Sequence, residues 1–406
     1  MLTLPTLFSW GPRSLLPPLR LLPLLLTLAS GPAPAASRLP GADTEVLERL
    51  PARAVDPRQR EMSALRRALA ARPDDLALAL RLARRYHAEV AAEGDPRYIG
   101  YAQAALAPWW NLPDPPAAVR VVRAILLQFN HQFDAAVADL RAAVQVEPAD
   151  GEAWSWLAAI AMVRADYPLA RQACENVALR ATPAVAAGCL AHLDASTGHA
   201  AAAAAALRKA LRQDSSADPG ERLWALTRLA EIEERRGAVA AAEAAYREAL
   251  ALGISDGYLL AAYSDFLLDQ GRAPEVLALL SGRERSDLLL LRLALAAKAT
   301  ANPQLANWQR DLGARFDAAR LRGDTVHQKE ESRFALQLLG DAGRALALAR
   351  ENYAVQREPA DARILLEAAV AARQAAAAEP VRAWLQSSGM ESVTLARLAR
   401  QLGSGS

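Results

Sequence analysis

From about residue 57 onward, apolar positions recur at three- and four-residue intervals almost without a break. There is no sustained alternation of period two, and β-branched clusters are few. The pattern predicts an all-α chain. Its beginning reads differently: residues 1–36 hold no acidic side chain, carry Arg13 and Arg20, then run apolar from Leu21 to Ser30 into small residues and prolines. That is the order of a secretory leader, with Ala33 to Ala36 suited to cleavage. The apolar stretch is shorter than the roughly 20 residues a membrane span needs, so an uncleaved anchor is the lesser alternative. No cysteine follows the stretch to accept a lipid, and the later apolar run from Leu288 to Ala297 is interrupted by Arg292. A soluble periplasmic or secreted product is expected, with residues 37–56 as a linker and no stable membrane span.

Beneath the helical spacing lies a longer beat. Small residues placed to open the second helix of successive hairpins, Ala136, Ala170, Ala203 and Ala242, then Val276, are separated by 34, 33, 39 and 34 residues. Glycines between paired helices, Gly198, Gly237 and Gly271, are separated by 39 and 34, and closing prolines Pro148 and Pro183 by 35. Three residue classes share a period near 34, and one five-residue insertion around Ser215 to Gly220 stretches the same interval in two of them. Such a period signals stacked supersecondary units. At 406 residues the chain exceeds the usual size of one compact core, which fits an elongated array with a distributed core.

The repeat resembles the tetratricopeptide family. In the unit from Gly151, Trp154, Leu157 and Ala158 match the first helix, Asp166 and Tyr167 the turn, and Ala170 the small residue of the second helix. From Leu223 the match runs through Leu226, Leu229, Ala230, Gly237, Ala242, Tyr246 and Ala249, and the unit from Ala184 offers Leu190, Ala191, Gly198, Ala203, Leu207 and Ala210. The resemblance implies a tetratricopeptide-like α-solenoid of antiparallel helix pairs in a right-handed superhelix. Its core repeats span 117–283, with degenerate pairs at 57–116 and 284–402. It also implies a concave face lined by fixed positions of each first helix. Here those positions include Ser155, Met162, His192, Trp224, Thr227, Glu231, Tyr258 and Asp265, a mixed surface suited to a helix or extended peptide. It lacks the Lys and Asn with which some members clamp a terminal carboxylate.

The stretch Ala107 to Pro116 interrupts the array with four prolines and the pair Trp109 and Trp110. Two readings stand: the tryptophans plug the junction between two helical segments, or they are exposed anchors for a partner. Cys174 and Cys189 are the only cysteines, on helices expected to be neighbours. They are either a disulfide of an oxidising compartment or two buried thiols.

Composition narrows the function. Apolar residues make up 52% of the chain, which excludes a disordered one. Losing Arg13 and Arg20 with the leader leaves 45 basic against 45 acidic residues, a balance that gives no electrostatic case for nucleic acid. There is no G-x-S-x-G elbow, P-loop, dinucleotide glycine fingerprint or H-E-x-x-H helix, and the five histidines are scattered. Neither His192 with His199 nor His327 with Glu331 supplies enough ligands for a metal. The expectation is a non-enzymatic protein-binding scaffold of a bacterial periplasm, without cofactor or metal, one use being assembly of an envelope complex. Alternatives are a self-associating structural subunit and, less favoured, an enzyme with an unrecognised site.

Overall fold

The computed structural model describes residues 57–93, 95–214 and 218–403. The leader and the linker of residues 37–56 lie outside the described residues. Among the described residues the chain is helical without strands, and consecutive helices pack as antiparallel pairs. Pairs run Pro57–Ala71 with Leu76–Glu93, Ala117–Phe129 with Phe133–Val146, Gly151–Val163 with Tyr167–Ala178, and Pro183–Ser196 with Ala200–Gln213. They continue with Pro219–Arg235 and Val239–Ala251, Gly257–Asp269 and Ala273–Leu279, Asp287–Ala299 and Leu305–Leu321, then Ala342–Val355 and Pro359–Ala371. Glu379–Ser388 and Val393–Gly403 close the chain.

The small residues that set the beat are where close helix approach demands them. Ala136, Ala170, Ala242 and Val276 are fully buried, and Ala203 is 3% exposed. Large side chains fill the gaps between pairs, so the apolar core runs as a succession of abutting clusters rather than around one centre. The arrangement is that of an all-α solenoid of stacked antiparallel helix pairs.

Six of the hairpin turns close the same way. A residue of positive φ is followed by an amide that bonds a carbonyl five residues back: His199 to Asp194, Ala238 to Glu233 and Arg272 to Leu267, behind Gly198, Gly237 and Gly271. The same closure occurs behind His131, Ala165 and Ala301, which hold this left-handed conformation without being glycine. The Ala301 turn joins Asp287–Ala299 and Leu305–Leu321 as a further antiparallel pair. Aspartates start several helices: Asp150, Asp166, Asp256 and Asp341 each accept from backbone amides of the first turn.

The tryptophan pair fills the junction. Trp109 and Trp110 are half-buried against a cluster that joins the first pair to Val122 and Leu126, and the Trp110 carbonyl accepts from Arg123 at 2.5 Å. Cys174 and Cys189 are disulfide-bonded, with Cα atoms 5.5 Å apart.

The carboxy-terminal segment departs from simple continuation of the stack. Its helices return to the inner face of the earlier repeats. Trp384 Nε1 donates to Tyr167 Oη at 3.0 Å, Arg357 N to Val163 O at 2.8 Å, and Ala200 N to Glu391 at 2.8 Å. A side chain at Gly198 would lie 3.2 Å from the Gly389 carbonyl, so the two turns meet backbone to backbone. The last helix buries an apolar stripe, Leu395, Leu398 and Leu402, within the carboxy-terminal cluster itself.

Candidate functional site

The helices Pro219–Arg235, Gly257–Asp269 and Asp287–Ala299 form one wall of a chamber of about 260 Å³. The opposite wall comes from Gln328–Arg333, Pro359–Ala371 and the start of Val393–Gly403. Four of the residues expected on the concave face, His192, Glu231, Tyr258 and Asp265, line this chamber. The chain's own later helices stand where an open groove is expected.

The other four lie elsewhere. Thr227 is 2% exposed and donates to Leu223 O within its own helix, and Met162 belongs to the core with Leu157 and Leu193. Ser155 is half-buried and donates back to Gly151 O at 2.7 Å. None of the three lines the chamber: helix rotation brings the first two into the inter-helix core, and the third satisfies its hydroxyl locally. Trp224 is 36% exposed and rests against Gly188, where any Cβ would sit 2.3 Å from the indole.

Charge dominates the chamber. Asp265 receives Arg292 at 2.6 Å from its own wall and Arg333 at 2.6 Å from the other. Burial pushes the Asp265 carboxyl up, but the two guanidinium groups prevail and hold it well below the usual carboxylate range. Arg333 is placed by the helix Gln328–Arg333 as it passes into a π-helical turn, Phe334–Leu339, ended by left-handed Gly340. Arg363 grips Asp269 through two bonds of 2.5 and 2.7 Å. Tyr258 donates to Glu231 at 2.5 Å, and the Arg228 guanidinium sits 4.8 Å over the Tyr258 ring while pairing with Glu231 at 3.1 Å.

Glu234 is different. Burial pushes its carboxyl up to about 7, neighbouring Asp269, Glu231 and Asp265 act in the same direction, and the hydrogen bond from Tyr246 at 2.9 Å opposes them. His192 is held well below its ordinary range by burial and by Arg228 and Arg235, so it is neutral. A carboxyl whose folded pKa is raised binds a proton in the folded state that the unfolded chain has released. Stability from this group is therefore present at low pH and falls as pH rises from about 4.5 to about 7. Between pH 5 and 7 the wild type is expected to lose up to about 1.4 kcal/mol per pH unit relative to Glu234→Gln. Melting curves of both proteins across that range check it; parallel profiles would show that Glu234 is not buried in this way.

The sequence reading missed the chamber's second wall. Glu234 and Arg235 fall at inner positions of their repeat and were legible in principle. Lys329, Arg333, Glu358 and Arg363 were not, because the repeat register decays before them. Among the described residues no group of three or more His, Cys, Asp or Glu is placed to hold a metal ion, and no helix is long and apolar enough to cross a membrane.

No known family and no curated protein matches the chain. Among solved structures it is similar to the APC/C hetero-tetramer Cut9-Hcn1, at 14% identity over 76% of this chain and 52% of that one, with a TM-score of 0.40. It is also similar to the P58(IPK) TPR domain, at 14% identity over 77% of this chain and 93% of that one, with a TM-score of 0.20. The chain thus spans about half the length of the first.

Proposed function

We propose that the protein is an exported, non-enzymatic helical-repeat scaffold of the bacterial periplasm, which takes a peptide or protein segment on the inner residues, Trp224 and Tyr258, that its carboxy-terminal helices leave exposed. One observation carries this reading: two large aromatic side chains, Trp224 and Tyr258, stay 36% and 48% exposed at equivalent inner positions of successive repeats. Aromatic groups held partly in solvent beside ordered charges, here Arg228 and Glu231, are the usual anchors of protein recognition. The leader-like amino terminus and the bonded pair Cys174 and Cys189 support an oxidising compartment.

A photo-crosslinking residue substituted for Tyr258 in the native host is expected to trap a discrete partner band, weakened by Glu231→Ala. The same residue at Leu179, 80% exposed just past the end of the helix Tyr167–Ala178, should not trap it. Indistinguishable patterns at the two positions would rule out the inner face as the docking surface.

A further inference from the structure

The chamber contains two ionisable groups of opposite type, Arg235 and Glu234, that no ion pair among the described residues engages. Arg235 donates to the Met390 sulfur at 3.2 Å, and among the described residues no carboxylate lies within ion-pair distance of it. Glu231, whose charge also acts on Arg235, is engaged by Arg228 and Tyr258. Arg228 is itself 9% exposed, and its Nε has no partner. Glu234, the adjacent residue, accepts only from the neutral Tyr246 hydroxyl, and among the described residues no cation lies within ion-pair distance of it. All of them line the same cavity, whose remaining wall includes the apolar Leu291, Ile364 and Leu395.

Arg235 and Glu234 are half-buried, and a partly desolvated charge is stabilised when an opposite charge meets it. Other groups of the chamber are paired: Asp265 has Arg292 and Arg333, Arg363 has Asp269 and Glu367, and Lys329 has Asp361 at 3.6 Å. Glu330 and Glu358 also line it, and among the described residues neither makes an ion pair, Glu358 accepting from a backbone amide of its helix start. A ligand carrying both an anionic and a cationic group would match Arg235 and Glu234 together, and neither a simple anion nor a simple cation would. At about 260 Å³ the space lies just below the roughly 300–1,000 Å³ of ordinary small-molecule pockets, so it suits a small ligand and not a helix.

We propose that this chamber is a binding site for a small zwitterion with an apolar side chain, of the amino acid or dipeptide class. Its carboxylate is taken by Arg228 and Arg235, its ammonium by Glu234, and its side chain by the Leu291, Ile364 and Leu395 wall. The neutral His192 adds a hydrogen-bonding group without disturbing the charge balance. Tyr258 lines this chamber as well, but the two readings fail separately, since one is read by crosslinking and the other by small-molecule titration on the unaltered protein.

The test uses the full chain, titrated by calorimetry and by thermal shift with L-leucine and L-alanyl-L-leucine. Each is compared with its N-acetyl form, which lacks the ammonium, its carboxy-terminal amide, which lacks the carboxylate, and inorganic phosphate. Saturable binding of either zwitterion is expected, with both blocked forms and phosphate at least about tenfold weaker, because each loses one charge-assisted contact. Arg235→Met and Glu234→Gln should each abolish the preference for the zwitterion. Absence of binding by both zwitterions overturns the proposal. So does equal binding of the N-acetyl form or phosphate, which would leave an anion site only. These comparisons are made on the unaltered protein and stand even if a variant does not fold.

Discussion

Asp265→Ala is expected to be among the most damaging single substitutions in the chain, lowering the free energy of unfolding by about 3–5 kcal/mol. The carboxylate receives Arg292 through two nitrogens, at 3.1 and 2.6 Å, and Arg333 at 2.6 Å. Arg292 is 7% exposed, so removing its counter-charge strands a cation away from water. The loss reports the stranding and not the worth of the pair. Replacing all three residues by apolar ones of similar size should recover most of it, because the desolvation of the group then disappears too. Urea unfolding of Asp265→Ala and of the triple variant checks both parts; an Asp265→Ala protein as stable as the wild type would show that the two arginines are solvated.

The second large effect concerns packing. Ala242 is fully buried at the start of the second helix of its pair, in the cluster that includes Leu226, Leu229 and Ala230. Small residues there let the two helices approach, and the adjoining pairs depend on that approach for their own burial. Ala242→Trp should therefore cost at least about 1–3 kcal/mol, the ordinary range for overpacking by far smaller increments. A circular-dichroism melt displaced downward is the expected outcome. An unchanged melt would mean that position 242 does not face its partner helix.

The parts of this structure that could be read in advance are those where one residue type does one physical job. Alanine at 136, 170, 203 and 242 marks close helix contacts, and Gly198, Gly237 and Gly271 mark turns that need positive φ. The turns at Ala165 and Ala301 were harder to see, because alanine gives no signal of a left-handed conformation that the surrounding hairpin imposes on it. The inner face was legible by position, and His192, Glu231, Tyr258 and Asp265 do lie together. Thr227 and Met162 show the limit of that method: a position assigned by register takes no account of a side chain that packs inward or bonds its own helix. The return of the carboxy-terminal helices was beyond reach, since pairs such as Tyr167 with Trp384 join residues 217 apart. Nothing in a local pattern encodes a contact of that range.

That return is the claim on which the chamber, and the small-ligand site within it, depend. It is tested most directly by a double-mutant cycle on Asp269 and Arg363, which lie 94 residues apart and meet only if the helix Pro359–Ala371 is seated against the helix Gly257–Asp269. Unfolding free energies of Asp269→Ala, Arg363→Ala and the double variant should give an interaction energy within the range of about 0.5–3 kcal/mol seen for residues in contact. Costs that add to within about 0.3 kcal/mol, as they do for distant sites, would contradict it.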